Sequence, residues 1–187
     1  MRIYVNMKRN YAGNNFAVTS ADIGEALMRS ASAFKSNGMD INEGIGLIVG
    51  AQETVQNAGK VGNSFKTMIN RLNGVTYSMK EGDVIANKTA QAFEKLAGIK
   101  IIDWDTNKVK DAYTIFSQLA DKWDDMNDVQ KNGIADALGG AHHLNTLQAL
   151  MNNWDTVVQY QQEYNDGFMV GSAEKEKQHS PYAQKCA

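Results

Sequence analysis

Proline is almost absent from this chain of 187 residues, which has a single one at Pro181. A proline inside a helix costs about 3 kcal/mol, so its absence from residues 1–180 favours a mostly helical fold. The 16 glycines act in the other direction, because they divide the helical sequence into short pieces. Cysteine is equally scarce. The one cysteine, Cys186, excludes an internal disulfide, and we interpret it as an incidental residue of the tail rather than a reactive thiol.

Long apolar runs and an excess of basic charge are also missing. The longest apolar run, residues 45–51, is too short to cross a bilayer, and residues 1–18 lack the apolar run of a secretory signal. Nineteen basic against 21 acidic residues give a formal net charge of −2, which argues against binding nucleic acid by neutralising many phosphates. Near the start, we interpret Arg2, Lys8 and Arg9 as solubilising rather than phosphate-binding.

Residues 16–74 contain three consecutive amphipathic helical patterns. Apolar residues recur on one helix face of the first pattern at Ile23, Leu27, Ala31 and Phe34. Thr19 or Ser20 can cap its start, and Asn37-Gly38 offers a left-handed end. None of these short helices can bury its apolar face alone, so we expect them to pack on one another through tight glycine-bearing turns.

The second and third patterns carry their own end signals. Asp40 and Glu43 form a capping box for the second helix, and Asn73-Gly74 ends the third. The apolar faces of these two helices are Ile41, Ile45, Ile48, Val49 and Val55, and then Val61, Phe65, Met68, Ile69 and Leu72.

The next stretch is less periodic. Residues 75–88 are predicted to form a loop with at most a helical turn, and residues 89–97 a helix that ends at Gly98. A short alternating run follows at Ile99, Ile101 and Ile102. It is either a strand that pairs with residues 1–6 or 75–79, or an extended link to the next helix.

Four further helices are predicted in the second half. Residues 108–125 carry an apolar stripe of Val109, Ala112, Tyr113, Phe116, Leu119, Ala120 and Trp123, whose aromatic members are interpreted as core rather than as a base-stacking surface. Asn127 or Asp128 caps a helix over residues 129–138, which Gly139-Gly140 ends. The next helix covers residues 142–152 with Leu144, Leu147, Leu150 and Met151 inward. The last, at 154–164, has a narrow stripe of Trp154, Val157, Val158, Gln161 and Tyr164, typical of a helix that seeks a partner chain or a longer bundle.

The predicted fold class is therefore mainly α: an array or bundle of about six to eight short helices with glycine-bearing turns and at most one or two short strands. We divide the chain into a lead-in segment at 1–15, a helical domain at 16–170, and a tail at 171–187 that is disordered at its end.

Enzymatic motifs are not found in the sequence. It contains no GxSxG, no HExxH, and no glycine-rich phosphate loop between a strand and a helix. The adjacent pair His142-His143 cannot bind one metal ion from a helix without help, because neighbouring side chains point about 100° apart. We interpret the pair as a structural feature facing solvent or a partner, and Glu25, Glu43 and Glu53 as residues of helix starts and solvated faces. No catalytic, cofactor-binding or metal-binding residue is predicted.

Four blocks of the sequence follow one another in a recognisable order. They are GNNFAVTSADIGEALMRSASAF at 13–34, KVGNSFKTMINRLNG at 60–74, GIKIIDWDTNKVKDAYTIFSQLADKWDDMNDVQKNGIADALGG at 98–140 and NTLQALMNNWDTVVQYQQEYNDGFMVGSAEKE at 145–176. Together these blocks resemble the core region of phage tail tape measure proteins. One departure concerns a basic Gly-Lys-Arg run that the family often shows, where this chain has Gly140, Ala141 and His142. An anionic partner served by that basic pair is therefore not expected here.

The resemblance implies a structural protein of the phage virion tail, which is assembled in the host cytoplasm and determines tail length. Its implied partners are tail tube subunits and tail assembly chaperones, together with self-association and without specific nucleic-acid binding. Members of the family use many hundreds of residues as the ruler, so we expect this chain to be a truncated or split piece. The alternative is a free-standing helical protein–protein interaction module without catalytic activity.

Overall fold

The computed structural model describes residues 16, 18–74, 76–77, 84–85, 87–103, 105–106 and 108–165, and within them the protein is mainly helical, which confirms the predicted fold class. The helices are α1 (Ser20–Ser36), α2 (Ile41–Val55), α3 (Ala58–Leu72), α4 (Lys88–Ala92), α5 (Ala112–Trp123), α6 (Asp128–Ala137), α7 (Ala141–Asn152) and α8, which covers residues 154–165. A π-helical turn, Phe93–Ala97, continues α4. The lead-in at 1–15 and the tail at 171–187 lie outside the described residues.

The predicted helix starts are present where the sequence places them. Thr19 caps α1 and forms a capping box with Asp22, and Asp40 does the same with Glu43 at α2. Each box satisfies two backbone amides that have no partner inside the helix. The first of the two candidates at α6, Asn127, is the residue that caps it. These local signals fix where the polypeptide enters each helix.

The strands differ from the prediction. The described residues contain four two-residue strands in two antiparallel pairs, β1 (Thr76–Tyr77) with β2 (Val84–Ile85), and β3 (Ile102–Asp103) with β4 (Lys108–Val109). The predicted loop at 75–88 therefore includes a strand pair. Among the described residues the partner of the isoleucine run is the nearby β4 and not Thr76–Tyr77, because a local pairing closes a much shorter loop, and residues 1–6 lie outside the described part of the chain.

This second strand pair shifts the start of the next helix. Lys108 and Val109, which were predicted to be helical, belong to β4, and α5 begins only at Ala112. The side chain of Asp111 supplies the N-cap by accepting the backbone N–H of Thr114 at 2.8 Å. Most of the predicted apolar stripe is nevertheless buried, including Phe116 and Leu119.

The turn between α2 and α3 contains no glycine, contrary to the prediction. It consists of Gln56 and Asn57, and Gly59 lies inside α3. Gln56 takes the left-handed conformation with φ 47°, the only non-glycine with positive φ among the described residues. Asn57 then caps α3, and its own backbone N–H donates to the buried side chain of Gln52 at 2.9 Å.

Helices α1 and α3 pack with their backbones close together. A side chain on Gly62 would place its Cβ 2.5 Å from the carbonyl oxygen of Ala26 and 2.9 Å from the Cα of Ala26. Ala26 is fully buried, and Ser30, one turn later, is buried with its hydroxyl donated to the same carbonyl at 2.8 Å. Small residues on both helices therefore permit the approach.

Three phenylalanines from three helices form the centre of the core. The ring of Phe65 on α3 lies 6.1 Å from that of Phe34 on α1 and 6.4 Å from that of Phe116 on α5. All three are 1 % exposed or less. One continuous cluster of buried residues extends from Val18 through α7 to Tyr164 on α8, so the described helices close on one another as a compact bundle rather than an opened array.

The helix ends are joined by a polar junction that the sequence pattern did not indicate. The Asn37 amide at the end of α1 donates to the side chain of Asn73 at the end of α3, at 2.6 Å, and accepts the backbone N–H of Ala112 at the start of α5. Both asparagines had been recognised only as end signals. Gly38, the next residue after Asn37, takes the predicted left-handed conformation with φ 78°.

Candidate functional site

The histidine pair lies in the first turn of α7, after a turn in which Gly139 and Gly140 both have positive φ. His142 is exposed, as predicted. His143 instead turns inward, and its Nδ1 lies 3.0 Å from the hydroxyl of Ser64 on α3. Thr146 donates to the same hydroxyl at 3.1 Å. The pair therefore divides into one surface residue and one residue of a helix–helix contact.

Ser64 and His143 are the residue types of a nucleophile and its general base, but the serine hydroxyl is not accessible to a substrate. Ser64 is 1 % exposed, so no substrate can reach its hydroxyl without opening the bundle. Burial lowers the pKa of His143, and the neighbouring His142 and Lys60 lower it further, so the ring is neutral at pH 7. The Nδ1 atom of a neutral ring can accept a hydrogen bond from the Ser64 hydroxyl. We therefore interpret this contact as a structural hydrogen bond between α3 and α7.

The carboxylates singled out in the sequence, Glu25, Glu43 and Glu53, lie on two helices, and Glu53 is partly buried on α2. Glu25 forms an ion pair with Arg29 at 3.1 Å, and both side chains are nearly half exposed. Glu43 accepts the backbone N–H of Asp40 at 2.9 Å in its capping box. Its pKa is raised mainly by burial, and the carboxylates of Asp111 and Asp40 raise it further.

No metal centre is assembled in the described part of the chain, where no group of three or more histidine, cysteine, aspartate or glutamate side chains could hold an ion. None of the described helices is long and apolar enough to span a membrane. Arg2, Lys8, Arg9 and Cys186 lie outside the described residues. That the chain has no catalytic or cofactor site remains a prediction.

A contact that the sequence did not predict is a glycine seam between α2 and α8, formed by Gly46 and Gly50 against Val157 and Tyr160. A Cβ on Gly50 would lie 2.5 Å from Val157, and one on Gly46 would lie 3.1 Å from Tyr160. The seam explains why α2 is buried on all sides from Gly44 to Gln52. Helix α8 therefore packs within its own chain, whereas the sequence pattern suggested a partner chain or a longer bundle.

The seam also brings together the two ends of the described chain. The ring of Phe16, just before α1, lies 5.6 Å from the ring of Tyr160 in an edge-on contact, and Tyr160 stacks on Tyr164 at 6.0 Å. Tyr160 is fully buried and was not among the predicted inward residues. The first described residue therefore lies against the last described helix.

Comparison with known protein families identifies the relationship. The family model described as phage-related minor tail protein matches residues 8–140, which include α1 to α6. This chain belongs to that family. No solved structure gives a significant match. The phage-related minor tail proteins are structural components of the phage tail, so the family supports a structural and non-enzymatic role for this member.

The matched range is shorter than the resemblance described above, which extended to residue 176. Helices α7 and α8 follow the matched range, yet they belong to the same core as the rest of this minor tail protein, since Leu147, Leu150 and Val157 are fully buried. Residues 141–165 therefore belong to the same folded unit as the matched range.

Proposed function

We propose that this chain is the core module of a tape measure protein, which takes part in tail assembly and in the determination of tail length. Its membership of the minor tail family supports a tail role, and the ordered tape-measure-like blocks support the finer assignment. The single structural observation that carries it is the contact of Phe16 with Tyr160, because it places the first described residue against the last described helix. A bundle of this kind can be a side lobe on a longer filament without interrupting it.

The bundle itself is too short to be the ruler. At about 1.5 Å per residue, a fully helical chain of 187 residues would extend about 280 Å, and the longest described helix, α1 with 17 residues, extends only about 26 Å. The measuring function therefore requires additional helical sequence, either in a longer chain or in a separate one. On this proposal the present chain is a split or truncated piece.

The proposed partners follow from the same role. Tail tube subunits and tail assembly chaperones would contact the outer faces of the bundle during assembly in the host cytoplasm, and the module would remain in the virion tail. Among the described residues, the large apolar side chains that are exposed are Met28 and Val129, on different helices. The contacts are therefore expected to be mainly polar rather than to involve one apolar patch.

The test removes the module from a phage that encodes it. A stop codon early in the reading frame should give filled heads with no tails or with tails of irregular length in negative-stain electron microscopy. Supplying the chain from a plasmid should restore uniform tails, and a plasmid copy carrying the same stop codon is the matched control. Tails of normal number and length in the stop mutant would refute the proposal.

A free-standing helical interaction module is the second candidate. Most of the apolar residues named for α1, α2 and α3 are buried within the chain, with Ala31, Ile41 and Val55 only partly buried, and this favours a bundle that folds as a unit. Light scattering and circular dichroism across a tenfold concentration range separate the candidates. A monomer with constant helicity supports the self-sufficient module, whereas loss of helicity on dilution indicates a piece that depends on an assembly.

A further inference from the structure

A groove lined by lysines lies beside the β3–β4 pair. It has a volume of about 370 Å³ and is lined by Gly98, Ile99, Lys100, Lys110, Gln118, Asp121 and Lys122. Three lysines against one aspartate give the lining a net charge of +2, in a chain whose net charge is −2. The positive charge is therefore local and is not a property of the whole surface.

The backbone around the groove is fixed by the fold. The backbone N–H of Lys110 donates to the carbonyl of Ile101 at 2.9 Å and extends the strand pairing, while Ile99 and Ile101 are 2 % exposed or less. The ammonium of Lys122 donates to the carbonyl of Ala97 at 3.0 Å, at the end of the π-helical turn. Lys122 thus caps the end of the π-helical turn and also lines the groove. The backbone that carries the three lysines is already in place in the folded bundle.

The lysine charges are not consumed by ion pairs within the described part of the chain. None of Lys100, Lys110 and Lys122 forms one there. The pKa of Asp103 is lowered mainly by the hydroxyl of Thr106 and only to a small extent by Lys110. The ammonium groups of Lys100 and Lys110 are therefore available to an external anion.

We infer that this groove binds an acidic segment of a partner protein through the side-chain carboxylates of that segment. The size of the groove suits a few side chains, and its net positive charge complements the carboxylates of an acidic peptide. A nucleic-acid backbone fits less well. High affinity for its continuous row of phosphates requires many basic contacts, and the groove offers three lysines.

The test measures peptide binding by the full chain. A fluorescein-labelled hexaglutamate peptide is titrated at about 50 mM salt, where exposed charges are less screened, and fluorescence anisotropy is recorded. A hexaglutamine peptide is the uncharged probe. The double variant Lys100→Gln/Lys110→Gln should weaken hexaglutamate binding about fivefold, because it removes two of the three positive charges that line the groove.

The matched control removes two other exposed lysines, in Lys35→Gln/Lys66→Gln on α1 and α3, and should change the affinity less than twofold. The single variant Lys100→Gln, at an exposed position, provides a second measurement, and circular dichroism checks that each variant is folded. Equal losses in both double variants, or no binding of hexaglutamate by the wild type, would overturn the inference. So would tighter binding of a single-stranded oligonucleotide than of the peptide. None of these results bears on the tape measure role, which the tail-length experiment tests separately.

Discussion

Replacing Gly62 by alanine should destabilise the bundle although it improves the local helix propensity. The added methyl carbon would lie 2.5 Å from the carbonyl oxygen of Ala26, where ordinary contact begins near 3.4 Å. The obstructing atoms belong to the backbone of a buried residue, so they cannot rotate away. Helices α1 and α3 must instead move apart by roughly 1 Å, which opens the contacts around Phe65.

Two opposing effects set the magnitude. Overpacking of this kind costs about 1–3 kcal/mol, and we expect the upper end because the contact is with backbone. Alanine in place of glycine inside a helix gains about 1 kcal/mol. The net loss is therefore about 2 kcal/mol in the free energy of unfolding, which corresponds to a melting temperature lower by about 4–8 °C for a chain of this size.

Gly59→Ala is the matched control on the same helix. Its Cβ would lie 3.1 Å from the carboxylate oxygen of Glu25 and 3.5 Å from the guanidinium of Arg29, both at the ends of side chains that are nearly half exposed. These groups can move, so the melting temperature should be unchanged or higher. Thermal unfolding followed by circular dichroism compares the two variants. A Gly62→Ala protein that melts at or above the wild-type temperature would show that α1 and α3 are not packed this closely.

Three further predictions concern a turn and two titrating groups. Gln56→Gly should raise the free energy of unfolding by about 0.5–1 kcal/mol in urea titrations, because glycine adopts the left-handed conformation with φ 47° at less cost. A decrease of the same size in the free energy of unfolding would contradict this. Burial raises the pKa of Glu43, so the wild type loses stability as the pH rises from the ordinary value of 4.5 through the raised one. The Glu43→Gln variant keeps the capping box, so it should be at least as stable as the wild type at pH 7 and should lose that advantage near pH 4. A variant that is less stable than the wild type at pH 7 would refute the raised pKa of Glu43. Burial lowers the pKa of His143, so the wild type should lose stability as the pH falls through 6.5 until the lowered pKa is reached. The His143→Gln variant should lack this pH dependence when urea unfolding is measured at pH 8 and pH 5. Identical pH profiles for the two proteins would contradict the burial of His143.

The position of the histidines shows where sequence reasoning ends at the candidate site. The pattern placed His142 and His143 at a helix start, which is correct, and geometry on one helix excluded a shared metal ion. The partner of His143 is Ser64, 79 residues earlier in the chain, and no local pattern indicates that contact. Only the packing of α7 on α3 brings the two together.

The lysine groove was also beyond the reach of the sequence. Lys110 was predicted to lie within a helix, whereas the structure places it beside a strand pair, and the groove depends on that position. The error came from Val109, whose apolar side chain extended the helical pattern of α5 by one turn. A two-residue strand is too short to produce a period of its own, so the longer helical pattern prevailed.

The sequence by itself determined the mainly helical fold, the capping boxes at Thr19 and Asp40, and most of the residues that form the core. These features depend on residues three or four apart, so the information is contained within one turn of helix. Only the tertiary structure decided that Gly62 meets Ala26 and that α8 covers α2. Such contacts join residues distant in the chain, and their geometry is set by how closely whole helices can approach, which no local spacing encodes.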